Sequence, residues 1–284
     1  MNKNENAYYT RIESKPKLFD FDLKELWRYK DLIVLFTKRS FIVTYKQTIL
    51  GPAWILLNPF ITSVMYTLVF GMIAGLSTNG VPQLLFYMGS NAVWSFFASC
   101  LTRTATTFTS NAHIFGKVYF PRLTIPISSV LSSVVNFFVQ LLMFGVFWVY
   151  YFSIGEIVPN LLYLPLLLLV LLQLGCLGLG CGIIISSLTT KYRDLAVLVS
   201  FGVQLWMYGS PVVYPLSQIT NPTLQMLLHI NPVSQALETF RFVFLGVGDI
   251  SLVWWLISFA ITVVILFFGV LLFNHVEKTF MDTV

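Results

Sequence analysis

From Pro52 to Pro82 the chain reads PAWILLNPFITSVMYTLVFGMIAGLSTNGVP, and this stretch decides the fold. Residues 53–74 are predominantly apolar and uncharged, and about 20 such residues carry a helix across the hydrocarbon core of a bilayer. Gly75 to Pro82 then gathers Gly, Ser, Thr, Asn and Pro, the residues that end helices and make turns. Working outward, charge is absent from Gln47 to Thr102, which leaves room for a second span after the turn. Further uncharged runs cover 123–155, 157–190, 195–237 and 250–276. Together they place spans near 53–74, 84–107, 124–152, 161–187, 196–214 and 252–274. Over the 284 residues, 57% are apolar and 10% charged, where a soluble domain carries about 25% charged residues. Soluble globular and disordered classes are excluded. The reading is an all-α integral membrane protein of six transmembrane helices.

Charge placement orients it. Residues 1–50 hold ten of the 17 Lys and Arg, and Arg103, Lys117, Arg122, Lys191, Arg193 and Lys278 fall in segments on the same side of the predicted spans. Arg241 alone falls on the other side. By the positive-inside bias both termini face the cytoplasm. The net charge of +5 follows from that bias and gives no reason to invoke nucleic acid. Residues 1–22 lack the apolar core of a cleavable signal peptide and read as a flexible cytoplasmic tail. Residues 23–50 read as an amphipathic interface helix, and 51–284 as the transmembrane domain. Cys100, Cys176 and Cys181 all lie in predicted spans and read as small packing residues.

Three segments are not simple spans. In the interface helix, Asp22 and Glu25 resemble a capping pattern. Leu23, Leu26, Trp27, Ile33 and Phe36 recur at helical spacing among Arg28, Lys30 and Asp31. Such a helix lies in the headgroup layer with its basic side chains toward anionic lipid, as an anchor alone or as an anchor that also touches a partner. The loop 111–123 places Phe115, Val118, Tyr119 and Phe120 beside Lys117 and Arg122, which predicts an apolar cluster at the water boundary. Such a cluster marks either a contact site or an ordinary positive-inside loop. The short loop 191–195, with Tyr192, Arg193 and Asp194, has the same character. Finally, Pro211, Pro215, Pro222 and Pro232 forbid one continuous helix through 209–250. That predicts two short helices that dip in from the outer face and return before the last span. Glu238 and Arg241 stand three apart and pair on one helix face, as a structural ion pair or as part of an exit.

No phosphate-binding GxxxxGK[ST] occurs; Gly116-Lys117 is followed by Val118. His113, His229 and His275 are isolated, so neither a metal site nor a catalytic residue is expected. Gly178 and Gly182 form a small-xxx-small pair inside a span, which reads as close helix packing. Spans without confident buried charges argue against an ion-coupled carrier.

Leu26-Trp-Arg-Tyr-Lys-Asp-Leu32 leads into Tyr45-Lys-Gln-Thr-Ile-Leu-Gly-Pro-Ala-Trp54 and Asn58-Pro59. Lys117-Val-Tyr-Phe-Pro-Arg122, Tyr192-Arg-Asp194, Pro211-Val-Val-Tyr-Pro215 and Asn231-Pro232 follow. In this order and spacing they resemble the ABC-type polysaccharide and polyol-phosphate export permeases, the membrane subunits of O-antigen and teichoic acid exporters. The resemblance spans residue 24 to the end. It implies a bacterial inner or plasma membrane homodimer bound to two copies of a separate ATP-binding subunit, which holds the ATP and Mg; this chain itself carries no cofactor. The cargo it implies is an undecaprenyl-pyrophosphate-linked glycan moved outward between the two subunits. It assigns ATPase coupling to His113, Phe115, Lys117, Val118, Tyr119, Phe120, Arg122, Tyr192, Arg193 and Asp194. The interface helix would act through Trp27, Arg28, Lys30, Asp31, Lys38, Arg39 and Lys46, the re-entrant helices of the outer face would fall on 216–247, and Glu238 with Arg241 would form an outer gate pair. Tyr66, Tyr87, Trp94, Trp206, Tyr208 and Tyr214 are candidates to line the glycan channel, since aromatic faces suit sugars; the competing role is an interfacial aromatic belt. A lipid or drug exporter permease of the same architecture, or an ion-coupled secondary transporter, is the alternative.

Overall fold

The computed structural model describes residues 23–46, 50–115, 120–190, 192 and 194–283. The described residues form helices α1 (Leu23–Arg28), α2 (Lys30–Tyr45), α3 (Trp54–Tyr66), α4 (Gln83–Ala105), α5 (Thr107–Phe115) and α6 (Thr124–Ile154). They continue with α7 (Leu166–Thr189), α8 (Leu195–Tyr208), α9 (Pro222–Ile230), α10 (Pro232–Leu245) and α11 (Leu252–Thr283). Among the described residues, five helical stretches are long and apolar enough to cross a membrane: Gly51–Ile73, Gln83–Ala105, Thr124–Ile154, Leu166–Thr189 and Leu252–Val276. The sixth apolar segment, expected over 196–214, contains a helix of only 14 residues, α8. At 1.5 Å per residue it rises roughly 21 Å, short of the ~30 Å hydrocarbon core. It stops because Gly209 and Pro211 follow, and the chain turns instead of continuing to 214.

The core sits around α4. Of its span window 78% is buried, against 17% for Gly51–Ile73, because α3, α6, α7, α8 and α10 all pack on α4. The closest approaches use glycine. A Cβ at Gly178 would stand 2.5 Å from Cys100 Cβ, and one at Gly182 would collide with Thr104 Oγ1, so these two admit α4. One residue pair along, a Cβ at Gly180 would lie 2.9 Å from Leu266 Cα, and one at Gly269 would lie 2.8 Å from the Gly180 carbonyl. The glycine run of α7 thus seats α4 on one side and α11 on the other, the close backbone contact that small residues permit in membranes.

Two groups of shorter elements cap the bundle. At the end carrying Arg103 and Arg122, here the basic end, α1 and α2 are separated at Tyr29. One face of α2 lies along α6: Ile33 is buried, and Thr37 Oγ1 donates to Ile33 O at 2.8 Å and to Ser128 O at 3.4 Å. Trp27, expected on the apolar face with Ile33 and Phe36, is instead 73% exposed; six residues from Ile33, it points away from the α6 face. At the opposite, far end, α9 and α10 are short because each begins at a proline preceded by a capping asparagine. Asn221 Oδ1 accepts from Thr223 N and Leu224 N, and Asn231 Oδ1 from Val233 N. Helix α10 is nearly all buried, packed on α4, α7 and α11. It ends at Gly246, whose φ of +70° and contact with the Val158 carbonyl leave no room for a side chain.

Candidate functional site

At the basic end the aromatic residues form a continuous core. Phe108 on α5 stacks on Phe273 of α11 with ring centroids 4.7 Å apart, and lies 5.9 Å from Phe115. Phe115 meets Phe120 at 5.8 Å, and Phe120 meets Phe36 of α2 at 5.8 Å. Ile125, Ile183 and Val270 fill the remaining space, and Phe108 N donates to Ser186 Oγ of α7 at 3.2 Å. The interface helix, the segment between α5 and α6, and the ends of α7 and α11 are therefore joined through one packed unit.

This corrects one expectation. Phe115 and Phe120 do not sit at the water boundary; they are 4% and 5% exposed. The cause is the periodicity of α5: Phe108 and Phe115, seven residues apart, lie on one helix face, and α7 and α11 cover that face. Arg122 keeps the polar rim, its guanidinium 5.6 Å over the Phe115 ring. Lys117, Val118, Tyr119, Arg193 and the side chain of His113 lie outside the described residues. What this end does present outward is Trp27, Arg28, Lys30, Asp31, Lys38, Arg39 and Lys46, together with Tyr192, 52% exposed, and Asp194. Lys30 Nζ lies 5.8 Å from the Trp27 ring. Phe36 was read only as part of the apolar face of the interface helix, and Phe108 and Phe273 escaped the sequence reading. The seven-residue spacing of Phe108 and Phe115 was the available signal for one of them.

At the far end Arg241 is the centre. It is 1% exposed, and its Nη1 donates to Glu238 Oε1 at 3.0 Å. Nη2 donates to Ser90 Oγ at 2.7 Å, to Pro211 O at 2.5 Å and to Val212 O at 3.1 Å. Nε reaches Ser90 Oγ at 3.1 Å, Nη1 reaches Tyr214 O at 3.4 Å, and the guanidinium lies 4.1 Å over Phe86. Burial pulls the guanidinium below its ordinary pKa, and the Glu238 carboxylate pushes it back up; an arginine so placed stays charged. One side chain thereby ties α10, α4 and the turn after α8. Asn231 adds a second tie: its Nδ2 donates to Gly209 O at 3.1 Å and Ser210 Oγ at 2.8 Å, and its Oδ1 accepts from Trp206 Nε1 at 3.2 Å. Ser90 and the Pro211 and Val212 carbonyls were not singled out from sequence, and Asn231 was quoted only within the Asn231-Pro232 motif; the spacing of Glu238 and Arg241 was readable.

The six aromatics expected along a channel separate into two groups. Tyr87 is fully buried and Trp94 nearly so, so neither borders open space in this chain; burial on the central helix α4 is the reason. Tyr66, Trp206 and Tyr214 are half-buried and Tyr208 is exposed. Tyr66 contacts Tyr87 at 6.3 Å and its hydroxyl meets Met207 Sδ at 3.2 Å. Trp206 packs on Phe97 at 5.0 Å, and Tyr214 Oη donates to Tyr208 O at 3.2 Å. Among the described residues, no three His, Cys, Asp or Glu converge as metal ligands.

Residues 31–245 match the ABC-2 type transporter family. Two proteins of Klebsiella pneumoniae, each described as O-antigen export system permease protein RfbA, are 26% and 28% identical to this chain. Each alignment covers 89% of the chain and 94% of the relative. A protein of Myxococcus xanthus with the same description is 26% identical over 78% of the chain and 83% of its own length.

Proposed function

The chain belongs to the ABC-2 type transporter family, multi-pass membrane permease subunits that pair with an ABC ATP-binding subunit, and from that premise we propose that it exports a cell-surface glycan. The observation that carries the cargo is the likeness to O-antigen export permeases along 89% of the chain. On this reading the basic end is the cytoplasmic face of the inner or plasma membrane, and both termini lie there. Two copies of the chain bind two ATP-binding subunits, which hold ATP and Mg. Helix α8 with the turn to Pro215 makes the sixth crossing, and α9 and α10 are the re-entrant pair of the outer face. The cargo is an undecaprenyl-pyrophosphate-linked polysaccharide of the O-antigen or teichoic acid type.

The phenylalanine core accounts for how nucleotide-driven motion enters the bundle. An ATPase that pushes on the segment between α5 and α6, on Tyr192 and Asp194, or on the exposed side of α1 and α2 pushes on one body, since Phe36, Phe108, Phe115, Phe120 and Phe273 are in ring contact. The long helix α11, seated against Gly180 of α7, carries the displacement toward the far end. The coupling role of Phe115 and Phe120 is accordingly one of transmission from within, while Trp27, Lys38, Arg39 and Tyr192 supply the outward contact.

The test is deletion of the chain in its host with surface glycan measured by lectin or antiserum. Loss of surface glycan, with lipid-linked glycan accumulating inside, is the expected result. Unchanged surface glycan, with a lipid or drug retained in the cells instead, overturns the cargo assignment and leaves the family membership intact.

A further inference from the structure

Around the far end, the 75–82 turn and four stretches between residues 216 and 249 line a cavity of ≈ 350 Å³, within the size range of small-molecule sites, about 300–1,000 Å³. Its polar lining comes from Asn79, Ser217, Gln225, His229, Glu238 and Asp249. The walls are held by bonds of their own. Asn79 and Ser217 pair through Nδ2 to Oγ at 3.0 Å, and Gln218 Nε2 donates to Ser77 O at 3.0 Å, which joins the 75–82 turn to the segment after α8. Gln235 Nε2 donates to His229 O and meets His229 Nδ1, both at 3.2 Å. The His229 ring is further fixed by stacking on Trp254 at 5.2 Å.

Glu238 is the informative member. Its Oε1 is taken by Arg241, while no described residue donates a hydrogen bond to Oε2, although the residue is 5% exposed. Oε2 therefore keeps its acceptor capacity for whatever enters the cavity, ligand or water. Gly248 stands directly against it: a Cβ there would lie 2.9 Å from Oε2. The missing side chain keeps that oxygen open to the cavity.

The chemistry of the lining selects the ligand. No Lys or Arg lines the cavity, so a phosphate group finds no countercharge. The Glu238 charge is already matched by Arg241, and no metal-ligating trio forms among the described residues, so a divalent cation is poorly served. What remains is a balance of acceptors, Glu238 Oε2 and Asp249, with the Gln225 amide as donor and the His229 ring beside it. Neighbouring hydroxyls, each both donor and acceptor, fit that balance. We infer that this cavity is a subsite for a neutral sugar or polyol unit, bound through its hydroxyls to Glu238 and Asp249. The assignment to the exported polymer rests on the glycan-export reading; the binding chemistry does not.

The test uses the full chain with its ATP-binding subunit in lipid nanodiscs and saturation-transfer NMR. The probes are the methyl α-glycosides of glucose, galactose and mannose, with glycerol 3-phosphate as the charged comparison. Since replacing Glu238 would unpair Arg241, the variants are Asp249→Asn and Gln225→Leu, both at the cavity wall and away from the ion pair. Wild type is expected to transfer saturation to at least one glycoside and not to glycerol 3-phosphate. Each variant is expected to weaken that glycoside roughly tenfold, the worth of one hydrogen bond to a charged or buried polar group. No transfer from wild type, equal transfer from the variants, or displacement of the glycoside by added calcium would overturn the subsite. Surface glycan in the same strain is scored separately: export without glycoside binding removes only the subsite, and binding without export removes only the polymer assignment.

Discussion

The two ends of the bundle are held by opposite kinds of interaction. At the basic end the rings of Phe36, Phe108, Phe115, Phe120 and Phe273 meet at 4.7–5.9 Å with interplanar angles from 23° to 54°. At the far end the Arg241 guanidinium is fastened to Ser90, Pro211, Val212, Tyr214 and Glu238. Ring contacts are broad attractions that survive a small slide or tilt. A planar fork donating to fixed oxygens does not; it is made or broken as a unit. The difference teaches that the basic end is built to move together while staying packed, and the far end to hold one arrangement until several bonds release at once.

The sharpest way to break that comparison is at Arg241. In Arg241→Met the Glu238 carboxylate remains buried without its partner, and the expected loss is about 3–5 kcal/mol of stability. The double variant Glu238→Leu with Arg241→Met removes the orphaned charge and is expected to recover most of it. Unfolding by titration with a denaturing detergent in mixed micelles reads both. If the single and double variants lose equal stability, the ion pair is not what holds this end. A charge swap is expected to recover less than the apolar double. A glutamate at 241 cannot donate to the Pro211 and Val212 carbonyls.

A smaller effect is expected between the ends, where α7 is packed closely against both α4 and α11. Gly182→Ala forces a methyl against Thr104 Oγ1, and overpacking of this kind costs about 1–3 kcal/mol. Gly202→Ala is the control, since no atom lies within 4 Å of a Cβ there, and a glycine-to-alanine change inside a helix gains roughly 1 kcal/mol. Opposite signs for the two changes in the same detergent titration support α7 as the packed axis. Equal signs would mean that α4 and α7 are separable.

These contrasts also mark what the sequence alone can disclose. Charge-free runs of sufficient length located five spans to within a few residues, because the bilayer imposes both length and composition. The short α8 was less legible: its apolar run continues uncharged through Gly209 to Pro215, so hydropathy ran on where backbone geometry stopped. The spacing of Glu238 and Arg241 was local and readable. Ser90, 151 residues from Arg241, and the two carbonyls were not, because a backbone acceptor leaves no mark in residue type. Phe115 and Phe120 were misplaced for the same reason. Their covering partners Phe36 and Phe273 are far away in sequence, so a boundary loop beside Lys117 and Arg122 read as exposed.

The burial of those two rings changes how coupling is best tested. Phe115→Ala with Phe120→Ala would hollow out the basic-end core, and failure of such a protein would not separate coupling from folding. Phe115→Leu and Phe120→Leu keep most of the apolar volume but remove the ring contacts, at a cost of about 1–2 kcal/mol each. Both are expected to insert, to bind the ATP-binding subunit and to permit ATP hydrolysis, while surface glycan falls severalfold, because motion applied between α5 and α6 no longer reaches α2 and α11 in step. Phe268→Leu, on a side chain 60% exposed, is expected to leave hydrolysis and export alike. Export that stays proportional to hydrolysis in the two core variants would show that the rings only fill space, and the contrast between a pliable end and a locked end would then lose its functional meaning.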